Sequence, residues 1–135
     1  MNRTASGQIA QTEARIITLL APAFPDFKVD PWPDNMARYQ LLHNKGAILV
    51  SYRSRTGSGD DPMCLQDRQS VFAVTVASRN LRQRDAHQGV YDALEEIDSI
   101  LSDNGFSFVR DGFTSEDSGV WLYTMQFSIN LSYGV

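Results

Sequence analysis

The sequence predicts an α+β domain, with a mostly antiparallel sheet of four to five strands and two helices packed on one face. Three observations predict it. Every second residue from 121 to 133 is large and apolar (Trp121, Tyr123, Met125, Phe127, Ile129, Leu131, Tyr133), and a period of two sustained this long is that of a strand. Residues 86–103 place Val90, Leu94, Ile97 and Leu101 on one helical stripe. The order helix, short strand, strand, strand, helix, strand, strand then sets two helices against one sheet.

The elements follow in turn. In residues 8–21, Ile9, Ile16, Ile17 and Leu20 share one side at helical spacing, and Pro22 stops the helix. Pro25, Pro31 and Pro33 exclude helix from the next segment and leave a short extended piece around Phe27–Val29. Residues 46–53 alternate as a strand, with Ile48, Val50 and Tyr52 on one face. The segment from Ser54 on is rich in Gly, Ser, Asp and Pro, which predicts a long mobile loop over 54–66. Residues 69–79 form a strand with Phe72, Val74 and Val76 on one face. Its other face, Val71, Ala73, Thr75 and Ala77, is small enough for close packing by a helix or a second subunit.

The helix over 86–103 starts on a capping-box pattern, Asp85 with Gln88, and ends at Asn104-Gly105. Asp92, Glu95, Glu96 and Ser99 face outward from it. A short strand over 106–113 and a loop of about six residues lead into the final strand as a hairpin. Thirteen residues of strand span roughly 43 Å, so the last strand is expected to bend through a bulge or to run past its own domain. In the second case it supplies an arm or sheet edge to a neighbour.

The 135 residues suffice for one domain, 1–135, with a real core. No apolar run is long enough to cross a bilayer. Arg3 has no apolar stretch behind it, so synthesis in the cytoplasm without a signal peptide is expected. The single cysteine, Cys64, excludes an internal disulfide and reads as an incidental thiol. Net charge is −4, unevenly placed. Residues 1–84 hold eleven Arg and Lys against seven Asp and Glu, residues 85–117 hold one Arg against nine acids, and residues 118–135 hold no charge. Stretches of opposite sign allow head-to-tail contact between copies, although a solvated helix face is the simpler and favoured reading of the acids. The acidic balance argues against a grip on nucleic acid.

No catalytic signature is present, and no enzymatic activity, metal or cofactor is expected. His43 and His87 lack a second ligand at metal spacing. Asp60-Asp61 lack the further acids of a calcium loop. Gly57 and Gly59 are not followed by the Lys and hydroxyl residue of a phosphate cradle. Glu95 and Glu96 are adjacent, so they point about 100° apart and cannot act as a carboxylate pair. Trp32, held between Pro31 and Pro33, is either a core plug or an anchor for a partner. Arginine outnumbers lysine ten to two and suits interfaces through its planar fork. The candidate interface residues are therefore Trp32, Arg53, Arg55, Arg79, Arg82 and Arg84, the loop pair Asp60 and Asp61, and Glu95 and Glu96.

Three stretches, PWPDNMARYQLLHNKGAILVSYRSRTG (31–57), FAVTVASRNLR (72–82) and VRDGFTSEDSGVWLYTMQFSI (109–129), resemble one family in their order and spacing. Their most specific pieces are Pro33-Asp34-Asn35, His43 with Gly46-Ala47, Arg79-Asn80-Leu81, and Asp111-Gly112-Phe113 followed by Gly119-Val120-Trp121. They look like the phage Mu-like tail proteins of the gene-product-thirty-seven family. The resemblance implies a tail-terminator-like fold and a structural role in a contractile tail of a phage or prophage. It implies a ring, of six copies as in related terminators, that caps the tail tube and sheath and meets the head's connector, with DNA passing through unbound. A small α+β ligand-binding or regulatory module is the alternative.

Overall fold

The computed structural model describes residues 7–33, 46–57, 67–79, 84–117 and 120–132, with the backbone alone at 67, 79, 84–89, 115–117 and 132. The predicted fold class holds, since two helices pack on one face of a five-stranded, mostly antiparallel sheet. Helix α1 spans Gln8–Leu20 and passes into a 3-10 turn, Ala21–Ala23, with Pro22 in its first turn. The Thr12 hydroxyl donates to the Gln8 carbonyl at 2.7 Å and so stays satisfied in a buried position. Strand β1 is Phe27–Pro31, β2 is Gly46–Gly57 and β3 is Asp67–Arg79. Helix α2 is Arg84–Ser102, and strands β4, Ser107–Asp117, and β5, Val120–Ser132, follow it.

The spatial order is β1-β2-β3-β5-β4. β1 runs parallel to β2 and every other pairing is antiparallel. Because β5 is antiparallel to both neighbours, β3 and β4 run the same way with β5 inserted between them. The unit β3–α2–β4 is thus a crossover split by a strand made later.

The sheet departs from three expectations. Ser54–Gly57 continue β2, paired with Val71, Ser70, Gln69 and Arg68, because a long partner strand overrides their weak strand propensity. The rest of the expected loop, 58–66 with Asp60, Asp61 and Cys64, lies outside the described residues. β4 likewise runs to Asp117, so the hairpin connection is residues 118–119 rather than six residues. Finally, β5 is neither arm nor edge. It pairs with β3 over its whole length without a register shift, from Val120 opposite Arg79 to Ser132 opposite Asp67. The irregularities fall on other strands, with Arg53 extra in β2 and Val109 and Thr114 extra in β4. The open edges belong to β1 and β4.

The core lies between the helices and one face of the sheet. Ile16 and Leu20 of α1 and Val90, Leu94, Ile97 and Leu101 of α2 meet Ile48, Val50, Phe72, Val74, Val76, Met125 and Phe127. The predicted stripe of α2 is the buried one, and Asp92, Glu95, Glu96 and Ser99 are exposed as expected. α1 lies over β1 and β2, and α2 over β3 and β4. α2 ends in a Schellman turn. Gly105 takes φ +91°, and the Phe106 and Asn104 N–H groups donate to the Leu101 carbonyl at 3.0 Å. Its last turn carries no basic residue of its own. Arg15 of α1 supplies one, donating to the Asn104 carbonyl at 2.8 Å and sitting 5.4 Å over the Phe106 ring.

Candidate subunit interface

Two surfaces stand out, one on each side of β4. On the helix side, Phe108 and Phe113 are 44% and 52% exposed and Tyr91 of α2 is 46% exposed, and Val109 at the β4 bulge is 47% exposed. Side chains of this size leave water when a partner covers them. Phe113 and Tyr91 belong to one aromatic cluster with Trp121 and Tyr123, while Phe108 meets Phe127 at 5.9 Å. Phe113 lies 5.3 Å from Trp121 and 5.5 Å from Tyr123, and Tyr91 meets Tyr123 edge to face at 6.2 Å. The Tyr123 hydroxyl is held above its usual pKa, first by burial and then by its hydrogen bond and charge interaction with Tyr91. Beyond this cluster β4 ends the sheet, and every described side chain on it, from Ser107 to Thr114, is exposed.

On the helix-free side the sheet carries a trough of about 680 Å³. Its floor comes from the small face of β3 that the sequence marked, Ala73 and Thr75, with Ser51, Gly112, Thr124 and Gln126 beside them. Register explains the shallow floor. Leu49, Thr75, Thr124 and Gly112 lie in one row across four strands, and Ser51, Ala73, Gln126 and Arg110 lie in the next. Three hydroxyls bridge the floor. Thr114 donates to Thr124 at 2.7 Å, and the Thr124 and Thr75 oxygens are 3.1 Å apart. The Thr114 hydroxyl reaches Thr124 from the β4 bulge, and Arg53 reaches the rim from the bulge of β2.

Trp32 borders the same trough. Its N–H donates to the Val50 carbonyl at 2.9 Å, which extends the β1–β2 ladder by one residue, and its ring is 40% exposed. It is therefore a rim residue and no core plug. The charged residues of the rim are Arg53, Arg110 and Asp111. Arg110 pairs with Gln126 on the trough side, whereas the partner of Asp111 is Met125, on the core side. Lys28 and Asp30 of β1 form an ion pair at 3.5 Å.

The structure thus brings Trp32 and Arg53 together at the trough. Arg55 is exposed further along β2, and Glu95 and Glu96 are exposed on α2, across the sheet from the trough. Arg79 and Arg84 are described by backbone only, at the end of β3 and the start of α2, and Arg82 lies outside the described residues. His43 also lies outside them, and the side chains of Asp85, His87 and Gln88 are not described. Arg110, Phe108, Val109 and Phe113 were not singled out from the sequence as candidates. The available signal was β4 itself, whose apolar residues do not alternate cleanly between faces. Among the described residues no group of three or more His, Cys, Asp or Glu is placed to hold a metal, and no helix is long and apolar enough to cross a membrane.

No curated protein matches the chain. Residues 16–132, from the middle of α1 to the end of β5, match the Gp37 protein family. That span holds every strand, both walls of the trough and the aromatic cluster, so the chain belongs to the Gp37 family, whose gene-product name is that of a phage protein.

Proposed function

We propose that this chain is a structural part of a contractile-type phage or prophage tail and serves as its tail terminator. In this reading copies close into a ring, of six subunits as in related terminators, that stops growth of the tube and sheath and presents a surface to the head's connector. It works without a cofactor or catalytic step, is assembled in the bacterial cytoplasm and ends in the virion tail. DNA passes through without being gripped, and the acidic 85–117 region faces the lumen or a neighbouring copy.

The observation that supports this most is β4, an eleven-residue terminal strand with exposed aromatic residues beside it. A long open edge of this kind is an aggregation hazard in a free subunit and an attachment strip in an assembly. The trough is open across the sheet and fits a protein surface better than an enclosed small molecule.

The test is imaging of tails from a strain lacking the chain, complemented by wild type or by Phe108→Ser/Phe113→Ser. Loss of the chain should give tails of uncontrolled length without heads. The double variant should fold, because both side chains are already exposed, yet fail to complement. Tails of normal length joined to heads in the deletion strain would refute the reading.

A further inference from the structure

The trough has the dimensions of one kind of occupant. Its walls stand on β2 and β4, three strand spacings apart, or roughly 14 Å. An α-helix with its side chains is about 10–12 Å across. The 680 Å³ of the trough is close to roughly one and a half turns of a helix 10 Å wide. Ala73, Thr75 and Gly112 on the floor let a helix approach the sheet closely, and Arg53 and Arg110 stand at opposite walls.

The same molecule carries a complementary helix. The outer face of α2 presents Asp92, Glu95, Glu96 and Ser99 to solvent. Asp98 and Asp103 lie nearer its C-terminal end, where the helix dipole is already negative. That helix lies on the opposite face of the sheet from the trough, so it cannot reach its own. Each copy therefore offers one helix and one receptor for it, which is the requirement of a heterologous contact that closes a ring.

We propose that the acidic face of α2 seats in the trough of a second copy of this chain, with Glu95 and Glu96 against Arg53 and Arg110. The proposal rests on the ring reading above and names its contact. Layers then alternate helix, sheet, helix, sheet around the ring, and the acids of α2 face a neighbour rather than the lumen. Salt weakens the contact, because exposed charges are screened over about 10 Å at 0.1 M.

Two charge-reversed chains test this, Arg53→Glu/Arg110→Glu in the trough and Glu95→Arg/Glu96→Arg on the helix. All four side chains are exposed, so circular dichroism and melting should match wild type. Sedimentation and native mass spectrometry read the assembly, and imaging scores incorporation of the same chains into tails. Each reversed chain alone should associate on the order of 100-fold more weakly, because like charges now meet. Their equal mixture should assemble again into rings that alternate the two chains, since the wild-type helix then meets the wild-type trough and the reversed helix meets the reversed trough. The chain carrying all four reversals should assemble again.

Wild-type rings unaffected by either reversal overturn the helix-in-trough contact and leave the ring reading standing. So does a mixture that associates no better than either reversed chain alone. A wild type that forms no ring in solution or in imaged tails overturns both.

Discussion

Replacing Gly46 with alanine should be among the most damaging small changes to this protein. Gly46 opens β2 with φ +126°, a conformation that side chains disfavour. A Cβ placed there runs into the Ala77 carbonyl oxygen, and it lies 3.0 Å from the Ala77 carbonyl carbon and 3.1 Å from Ser78 Cα. All three atoms are backbone, so no side chain can swing aside. The strained φ costs about 1–3 kcal/mol, and forcing β2 away from β3 costs about 1–3 kcal/mol more. A total near 4 kcal/mol is a large share of the roughly 5–15 kcal/mol that holds a domain folded. The expected outcome is a melting temperature lowered by roughly 10–20 °C, read by circular dichroism. Gly57→Ala is the control. It ends the same strand with nothing within 4 Å of its added Cβ, and its effect should stay within about 0.5 kcal/mol. Equal melting of the two variants, or a Gly46→Ala loss below about 1 kcal/mol, would show that the close approach of β2 to Ala77 is wrong.

Two further outcomes follow from buried groups. The Ser70 hydroxyl is fully buried and has no hydrogen-bond partner among the described residues, so Ser70→Ala should leave stability unchanged or raise it by up to about 1 kcal/mol in urea unfolding; a clear loss would mean that the hydroxyl is satisfied. The raised pKa of Tyr123 means that the fold favours its protonated form. Its contribution is therefore complete below the ordinary tyrosine pKa near 10 and is lost as pH rises from there through the folded value. Unfolding measured from pH 8 to 11 should show that decline, and Tyr91→Phe, which removes the partner hydroxyl, should make it shallower.

Much of this fold is legible in the sequence because the decisive signals are local. The alternation from Trp121 to Tyr133 and the stripe Val90, Leu94, Ile97 and Leu101 each report one element facing one core. Ser54–Gly57 and Ser115–Asp117 read as loop because nothing in their own composition favours a strand. They are ordered by partners at Arg68–Val71 and Val120–Leu122, which no local pattern reveals. Strand order is non-local in the same way. The length of β5 suggested a free edge, whereas its two partners, β3 and β4, place it inside the sheet. The interface was half visible. Trp32 and Arg53 were marked by residue type, and the small face of β3 by pattern. Arg110 and the exposed aromatic residues of β4 became significant only when the strand order left that edge uncovered.

The position of β5 also has a consequence for biogenesis. The strand synthesised last of the five belongs in the middle of a row, between two strands that emerge from the ribosome before it. Until Val120–Ser132 has left the exit tunnel, β3 lacks one neighbour and β4 lacks its only one. The missing piece is an uncharged, alternating apolar run, a type of segment prone to pair with strangers while it waits. The sheet therefore closes only by a late insertion, whose long-range pairings are expected to form slowly. Truncation within β5 should lower the yield of folded protein before any contact between copies comes into play.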